Sequence, residues 1–312
     1  MQPFRTILFA ADFSENSRDA FRMACSLAVG NRTRLIVLHV VEPAWVAKTA
    51  DDVGLGSVPT SETESVHEFL KRRMGEVYVP NDPIDVEYRT REGDASVEIV
   101  RMADEIGADL IAMGTHGRTG LRSLLAGSVA ITVLSKAHCP VLALRSGNRP
   151  HPAEEMRVIL HPTDFSKASE AALQVARSLA RDLGTRLIVL HVLPFDIYLE
   201  GKMAAELDPR DYQHSLDVTR QRLDSPDLKY PVETRLSRGF AAEEILRVAQ
   251  ELECDLIVMG THGRTGLGRL LMGNTAESVL LEADCPVLVV KSAQGVPVPT
   301  SGRSEHKSKI VF

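Results

Sequence analysis

Residues 113–121 read MGTHGRTGL, and residues 259–267 read MGTHGRTGL again, 146 positions further on. Each copy leaves an apolar run, Asp109-Leu110-Ile111-Ala112 in one case and Asp255-Leu256-Ile257-Val258 in the other. Each is followed by a third glycine at a fixed interval: Gly114-x2-Gly117-x9-Gly127-Ser128, and Gly260-x2-Gly263-x9-Gly273-Asn274. A short apolar run bounded by glycine reads as a buried strand. A glycine turn between such a strand and a helix start presents backbone amides and a helix dipole to an anion, which is how many proteins hold phosphate. The stretch therefore predicts an α/β unit, and its duplication predicts two.

The pattern extends outward from each copy. Thr6–Ala10 is a fully apolar strand, broken by Ala11-Asp12-Phe13-Ser14. Ser14 suits the cap of a helix over about 15–29 that Gly30 closes. Arg34–Val41 is a second buried strand, and its RLIVLHV at 34–40 recurs letter for letter at 186–192. Residues 42–60 read as a loop, 61–75 as a helix, Ile84–Thr90 as an alternating strand nearer an edge, and 94–106 as a helix capped by Asp94. Asp109–Met113 is the strand before the glycine turn, Ser128–Lys136 a helix, and Val141–Arg145 a closing strand.

Residues 146–156 have linker composition, and the order then restarts. Strands are expected at Arg157–His161, Arg186–Val192, Val232–Leu236, Asp255–Met259 and Val287–Lys291. Helices are expected at 166–183, 208–223, 241–251 and 276–283. This gives one domain over 1–146, a linker at 147–156, a second domain over 157–292, and a polar, Pro-containing tail at 293–312. Strand-helix alternation implies parallel strands, right-handed crossovers and helices on both faces. The fold class is therefore α/β: two tandem Rossmann-like or flavodoxin-like domains, each with a five-stranded parallel sheet. If the order is 3-2-1-4-5, ligands belong beyond the carboxyl ends of strands one and four, where the strand order reverses. The Asp12 or Asp164 loop and the glycine turn both end there.

The chemistry of that crevice follows from residue type. Gly114 and Gly117 let the backbone bend and approach a ligand. Gly127 and Ser128 open a helix whose amides favour anions. Arg118, and Arg264 in the second copy, stand where a guanidinium contacts phosphate. Asp12 and Asp164 suit either a ligand contact or a turn before a helix. His116 and His262 in the turn, and His39 and His191 ending strand two, read first as hydrogen-bonding structural groups. No GxxxxGK[ST] loop is present, and Gly54-Leu55-Gly56 is followed by Pro59 where a GxGxxG would need glycine.

Taken together, the tandem organisation, the strand-one Asp, the strand-two valines and G-x2-G-x9-G-[ST] at 114–128 resemble the universal stress protein family in its two-domain form. The resemblance covers roughly residues 3–145 and 156–291. It implies adenine nucleotide binding, with ATP and its accompanying Mg²⁺ as the expected cofactor. It also implies a regulatory role in stress, with slow ATP hydrolysis or phosphoryl transfer, or a nucleotide-free scaffold, as rivals. Carried over residue by residue, the first site would use Asp12, Val40, Met113, Gly114, Gly117, Gly127, Ser128 and Val129. The second would use Pro162, Thr163, Asp164, Val192, Met259, Gly260, Gly263 and Gly273, with Asn274 and Thr275 where the pattern has Ser or Thr. The first copy departs elsewhere, having Ala10-Ala11-Asp12 against Pro162-Thr163-Asp164. Phosphate contacts outweigh the strand-one approach, so the first site is expected to be the stronger. The resemblance also implies pairing through the closing strands, hence an intramolecular pseudo-dimer, with a homodimer as a further possibility.

Bulk properties agree with this class. The 312 residues are 44% hydrophobic and 25% charged, an ordinary globular balance. A net charge of −6 lacks the basic footprint of a general nucleic-acid binder. No apolar run reaches the roughly 20 residues that span a membrane. The N-terminal residues carry no signal-peptide pattern. The four scattered cysteines form no CxxC pair, and no His/Cys cluster has metal-ligand spacing. The expected location is the cytoplasm.

Overall fold

The computed structural model describes residues 4–28, 33–41, 65–81, 83–115, 127–145, 155–193, 217, 221, 232–261 and 273–291. The first repeat contributes β1 (Thr6–Ala10), α1 (Glu15–Ala28), β2 (Arg34–Val41), α2 (Val66–Val77), β3 (Asp85–Glu92), α3 (Ala95–Ile106), β4 (Leu110–Gly114), α4 (Ser128–Lys136) and β5 (Val141–Leu144). The second contributes β6 (Val158–Thr163), α5 (Lys167–Leu183), β7 (Arg186–Leu193), β8 (Val232–Arg238), α6 (Ala241–Glu251), β9 (Leu256–Gly260), α7 (Asn274–Glu282) and β10 (Val287–Val290). The expected loop at 42–60, most of the expected helix at 208–223, most of the linker and the tail lie outside the described residues.

The strands form one sheet in the order β3-β2-β1-β4-β5-β10-β9-β6-β7-β8. Each half has the expected 3-2-1-4-5 order, and every pairing is parallel except that of β5 with β10, which is antiparallel with Leu288 opposite Leu142. The closing strands therefore lie at the centre of the sheet. Their apolar residues explain this: Val141–Leu144 and Val287–Val290 are all buried. The sheet's outer strands are β3 and β8. They carry the charged pairs Arg89–Glu87 (2.6 Å) and Arg235–Glu233 (2.7 Å), a device that discourages edge pairing.

Sequence chemistry fixes several boundaries. Ser65 and Glu68 form a reciprocal capping box, so α2 begins at Val66, later than the expected 61. Asp109 sets strand register: its Oδ2 accepts from the amides of Arg5 and Thr6, both at 2.9 Å. Asp255 does the same for Arg157 (2.7 Å) and Val158 (2.9 Å). The Asp that precedes each glycine-turn strand thus ties it to the start of strand one.

Across the β5–β10 junction the repeats exchange cations. Arg145, just past β5, donates to the Leu281 carbonyl near the end of α7. Lys291, just past β10, donates through Nζ to the carbonyls of Ser135 and Ala137 at the end of α4, both at 2.6 Å. Cations at helix C-termini satisfy orphan carbonyls and favour the dipole.

Candidate functional site

Beyond the carboxyl ends of β1 and β4 lies a cavity of about 360 Å³. Its walls come from five places: Ala10, Ala11 and Asp12 after β1, Leu38 to Val41 of β2, Ala95 and Ile99 of α3, Met113 to Thr115 of β4, and Gly127 to Ala130 at the start of α4. Seven of the residues expected for the first site, Asp12, Val40, Met113, Gly114, Gly127, Ser128 and Val129, are brought together here. Gly117 and Arg118 lie outside the described residues, as do His116, His262, Gly263 and Arg264. In the second repeat the equivalent strand ends hold Pro162 and Thr163 on β6, Asp164 after it, Val192 on β7, and Met259 and Gly260 on β9. Gly273 caps α7, whose first residues are Asn274 and Thr275.

The strand-one loop is built the same way twice. Asp12 Oδ1 accepts from the Ser14 amide (2.9 Å), and Asp164 Oδ1 accepts from the Ser166 amide (3.0 Å). The next turn is capped by serine: Ser14 Oγ accepts from Ser17 N (3.1 Å), and Ser166 Oγ from Ser169 N (3.2 Å). Between them Phe13 and Phe165 adopt φ of 65° and 61°, a left-handed conformation that an aromatic residue enters only when its surroundings hold it there. One restraint is the strand-two histidine. His39 Nδ1 lies 2.7 Å from the Ala11 carbonyl, and His191 Nδ1 lies 2.7 Å from the Thr163 carbonyl. Their rings meet Phe13 and Phe165 at 4.9 and 4.8 Å. The strand histidines are thus structural, and Asp12 and Asp164 each use one oxygen to form a turn.

The glycines have reasons of their own. A Cβ on Gly260 would lie 2.7 Å from the Ala168 carbonyl carbon, and one on Gly114 would lie 3.2 Å from Asn16 Cβ. A helix passes against both strand ends: Gly260 leaves no room for a methyl, whereas at Gly114, which also lines the cavity, a methyl would press on Asn16 by only a few tenths of an ångström. Gly127 closes the base of the turn. Its amide donates to Thr115 O at 2.7 Å, as Gly273 does to Thr261 O at 2.8 Å. Thr115 N and Thr261 N in turn donate to Leu144 O (2.7 Å) and Val290 O (3.1 Å) on the closing strands. Among the described residues no side chain caps α4 or α7, each of which opens on a glycine. The first amides of α4 therefore open toward the cavity with the positive end of the helix dipole, an arrangement that suits an anion.

Sequence reasoning passed over Ala95, Ile99 and Thr115, which complete the walls. It also passed over Tyr78, which is fully buried behind the Asp12 loop. The only signal for Tyr78 was indirect, the loss of the Thr163 hydroxyl at Ala11.

Two doubly wound units sharing one sheet, each reversing its strand order between its first and fourth strands, define the class of protein. The chain belongs to the universal stress protein family, whose family model matches residues 3–145 and 155–291. It is 34% identical over 139 residues to a universal stress protein of Methanocaldococcus jannaschii, covering 43% of this chain and 81% of that protein. A universal stress protein of Mycolicibacterium smegmatis aligns over 290 residues at 24% identity, covering 91% of this chain and 96% of that one. The crystal structure of a universal stress protein from Archaeoglobus fulgidus shares the fold, with a TM-score of 0.61 and 24% identity over 92% of this chain and 98% of that one.

Proposed function

We propose that the protein binds an adenine nucleotide, ATP in the first instance, in the β1/β4 crevice of the first repeat, and that occupancy serves as a signal in stress regulation. The observation that carries this reading is the meeting, in one cavity, of an apolar slot, an open strand edge and a helix start opened by glycine. Ala95, Ile99 and Leu38 offer apolar walls to a base. Val40 offers the edge. Leu38 O accepts from Ala11 N at 2.8 Å, and backbone groups alternate sides along a strand. The Val40 N–H and C=O therefore face the same side two residues further on, past the end of β1 at Ala10. A backbone donor and acceptor side by side match the N1 acceptor and N6 donor of adenine and oppose the O6 and N1–H of guanine. Gly127, Ser128 and Val129 would receive the phosphates, with the Ser128 hydroxyl adding a hydrogen bond.

Binding, orientation and exclusion of water are all that these residues supply, so the nucleotide is read as a ligand that reports on the cell. When bound, the triphosphate with Mg²⁺ would contribute its charge and its own bond energy. The second crevice repeats the design with Asn274 in place of serine and is the weaker site. The chain's domains are taken as 1–146 and 157–292, working in the cytoplasm; in keeping with a reducing compartment, none of the four cysteines forms a disulfide. Native mass spectrometry of freshly purified protein should reveal a bound adenine nucleotide, and added ATP should raise the melting temperature more than GTP does. Protein that carries no nucleotide and whose melting is unmoved by ATP would overturn the reading.

A further inference from the structure

The two strand-one loops are alike in shape but are held by different groups. In the second repeat one hydroxyl does the work: Thr163 Oγ1 accepts from the Phe165 amide (3.1 Å) and from Ser169 Oγ (2.8 Å). The first repeat has Ala11 at that position. There the Tyr78 phenol, arriving from the C-terminal end of α2, takes both bonds. It accepts from the Phe13 amide at 2.8 Å and shares a hydrogen bond with Ser17 Oγ at 2.9 Å. Ser17 Oγ also accepts from the Asp12 amide at 3.2 Å. The amides of Asp12 and Phe13 are thereby fixed, one through Ser17 and one directly.

We infer that Tyr78 is a positioning residue of the first crevice, standing in for the hydroxyl that Ala11 lacks and holding the Asp12–Phe13 turn in its left-handed form. Its own placement is over-determined. The ring packs on Phe9 (5.2 Å), Phe21 (5.3 Å) and Phe13 (5.7 Å). Its backbone amide donates to Met74 O at 2.8 Å, and its carbonyl accepts from the Tyr88 hydroxyl at 2.8 Å. Burial pushes the phenol up to about 12, so it stays a neutral hydroxyl at any working pH. The neighbouring strand residue matches this arrangement. Phe9 builds the aromatic slot for Tyr78, whereas the second repeat has His161 there, 3.5 Å from Ser169 Oγ. The first crevice is consequently tied to the docking of α2, which in sequence directly follows the 42–64 stretch; the second carries its restraint within strand one.

The consequence for ligand binding rests on the nucleotide reading; the positioning itself does not, and the test separates them. Two full-length variants suffice, Tyr78→Phe and Tyr78→Phe combined with Ala11→Thr. Amide-resolved hydrogen exchange without nucleotide reads the turn directly. In Tyr78→Phe the Phe13 amide should exchange about tenfold faster, the loss of one buried hydrogen bond, while the Phe165 amide should be unchanged. Adding Ala11→Thr should restore protection to within about threefold, because the threonine hydroxyl then sits as it does in the second repeat. ATP titration should show the same loss and rescue at the stronger site. Unchanged Phe13 exchange in Tyr78→Phe, or failure of Ala11→Thr to restore it, overturns the inference, as does a double variant that does not fold. If the exchange results hold but the wild-type chain binds no ATP, the positioning stands and the nucleotide reading falls.

Discussion

Behind the strand-one loop the first repeat is an aromatic block, and the second is a small polar network. Phe9, Phe21 and Tyr78 fill the first; His161, Thr163 and Ser169 occupy the second. The backbone above them is nearly the same, with Phe13 and Phe165 at φ of 65° and 61° and histidines bonded alike to the preceding carbonyl. Duplicated structure therefore does not require duplicated support. A demanding turn persists when each of its amides finds some partner, and the partner is free to change. The two solutions should nonetheless respond differently to acid, to added volume and to loss of a cation.

Acid should separate them most. His161 is fully buried and its Nδ1 lies 2.8 Å from Val258 O. Burial lowers its pKa from 6.5 to about 4. A buried neutral imidazole binds protons less readily than the unfolded chain does. Its contribution to stability is therefore complete above about pH 6.5 and is lost as the pH falls toward 4, by roughly 3 kcal/mol in all. Phe9 has no such liability. His161→Phe should remove that share of the acid loss in denaturation measured from pH 7 to 4. An unchanged pH dependence would show that the second repeat is not limited by this group.

Added volume comes next. Gly260→Ala places a methyl against the α5 backbone, where nothing can yield, and should cost about 1–3 kcal/mol. Gly114→Ala meets Asn16 Cβ at 3.2 Å and should cost less. Equal losses in chemical denaturation would remove this distinction between the repeats.

The smallest effect is expected at the junction. Lys291→Met removes the hydrogen bonds to the Ser135 and Ala137 carbonyls at the end of α4 and should cost about 1 kcal/mol, because burial of the ammonium already offsets part of its two bonds. Arg145→Met, which removes the bond to the Leu281 carbonyl, should cost less. A split unfolding transition in either variant would show that the repeats depend on these contacts for cooperativity.

The fold was legible because its decisive signals are local and repeated. Apolar runs as short and β-branched as RLIVLHV read as buried strands, and strand-helix alternation leaves few topologies. That the Asp12 loop and the end of the glycine-turn strand share one crevice followed from topology, whereas Val40 came only from the family resemblance. What could not be read was the identity of partners across space. Asp109 looks like an ordinary strand flank until its carboxylate is seen holding the amides of Arg5 and Thr6. Tyr78 lies 65 residues from Phe13 in sequence, and nothing local to either announces the bond. Gly114 reads as a ligand-facing glycine from its spacing, and nothing local to it shows that α1 also passes against it. The start of α2 was misjudged for a simpler cause: Ser61 and Ser65 are both plausible caps, and only the pairing with Glu68 separates them.

The central claim is that the first crevice is an adenine nucleotide site and the stronger of two. Isothermal titration of ATP into the full chain and into Ser128→Ala and Asn274→Ala tests it directly. A hydroxyl bonded to a charged phosphate is worth about 1.5–3 kcal/mol, so Ser128→Ala should weaken the tighter binding event about tenfold or more, while Asn274→Ala leaves it intact. Absence of binding heat in the wild-type chain, or a larger loss from Asn274→Ala, would contradict the account.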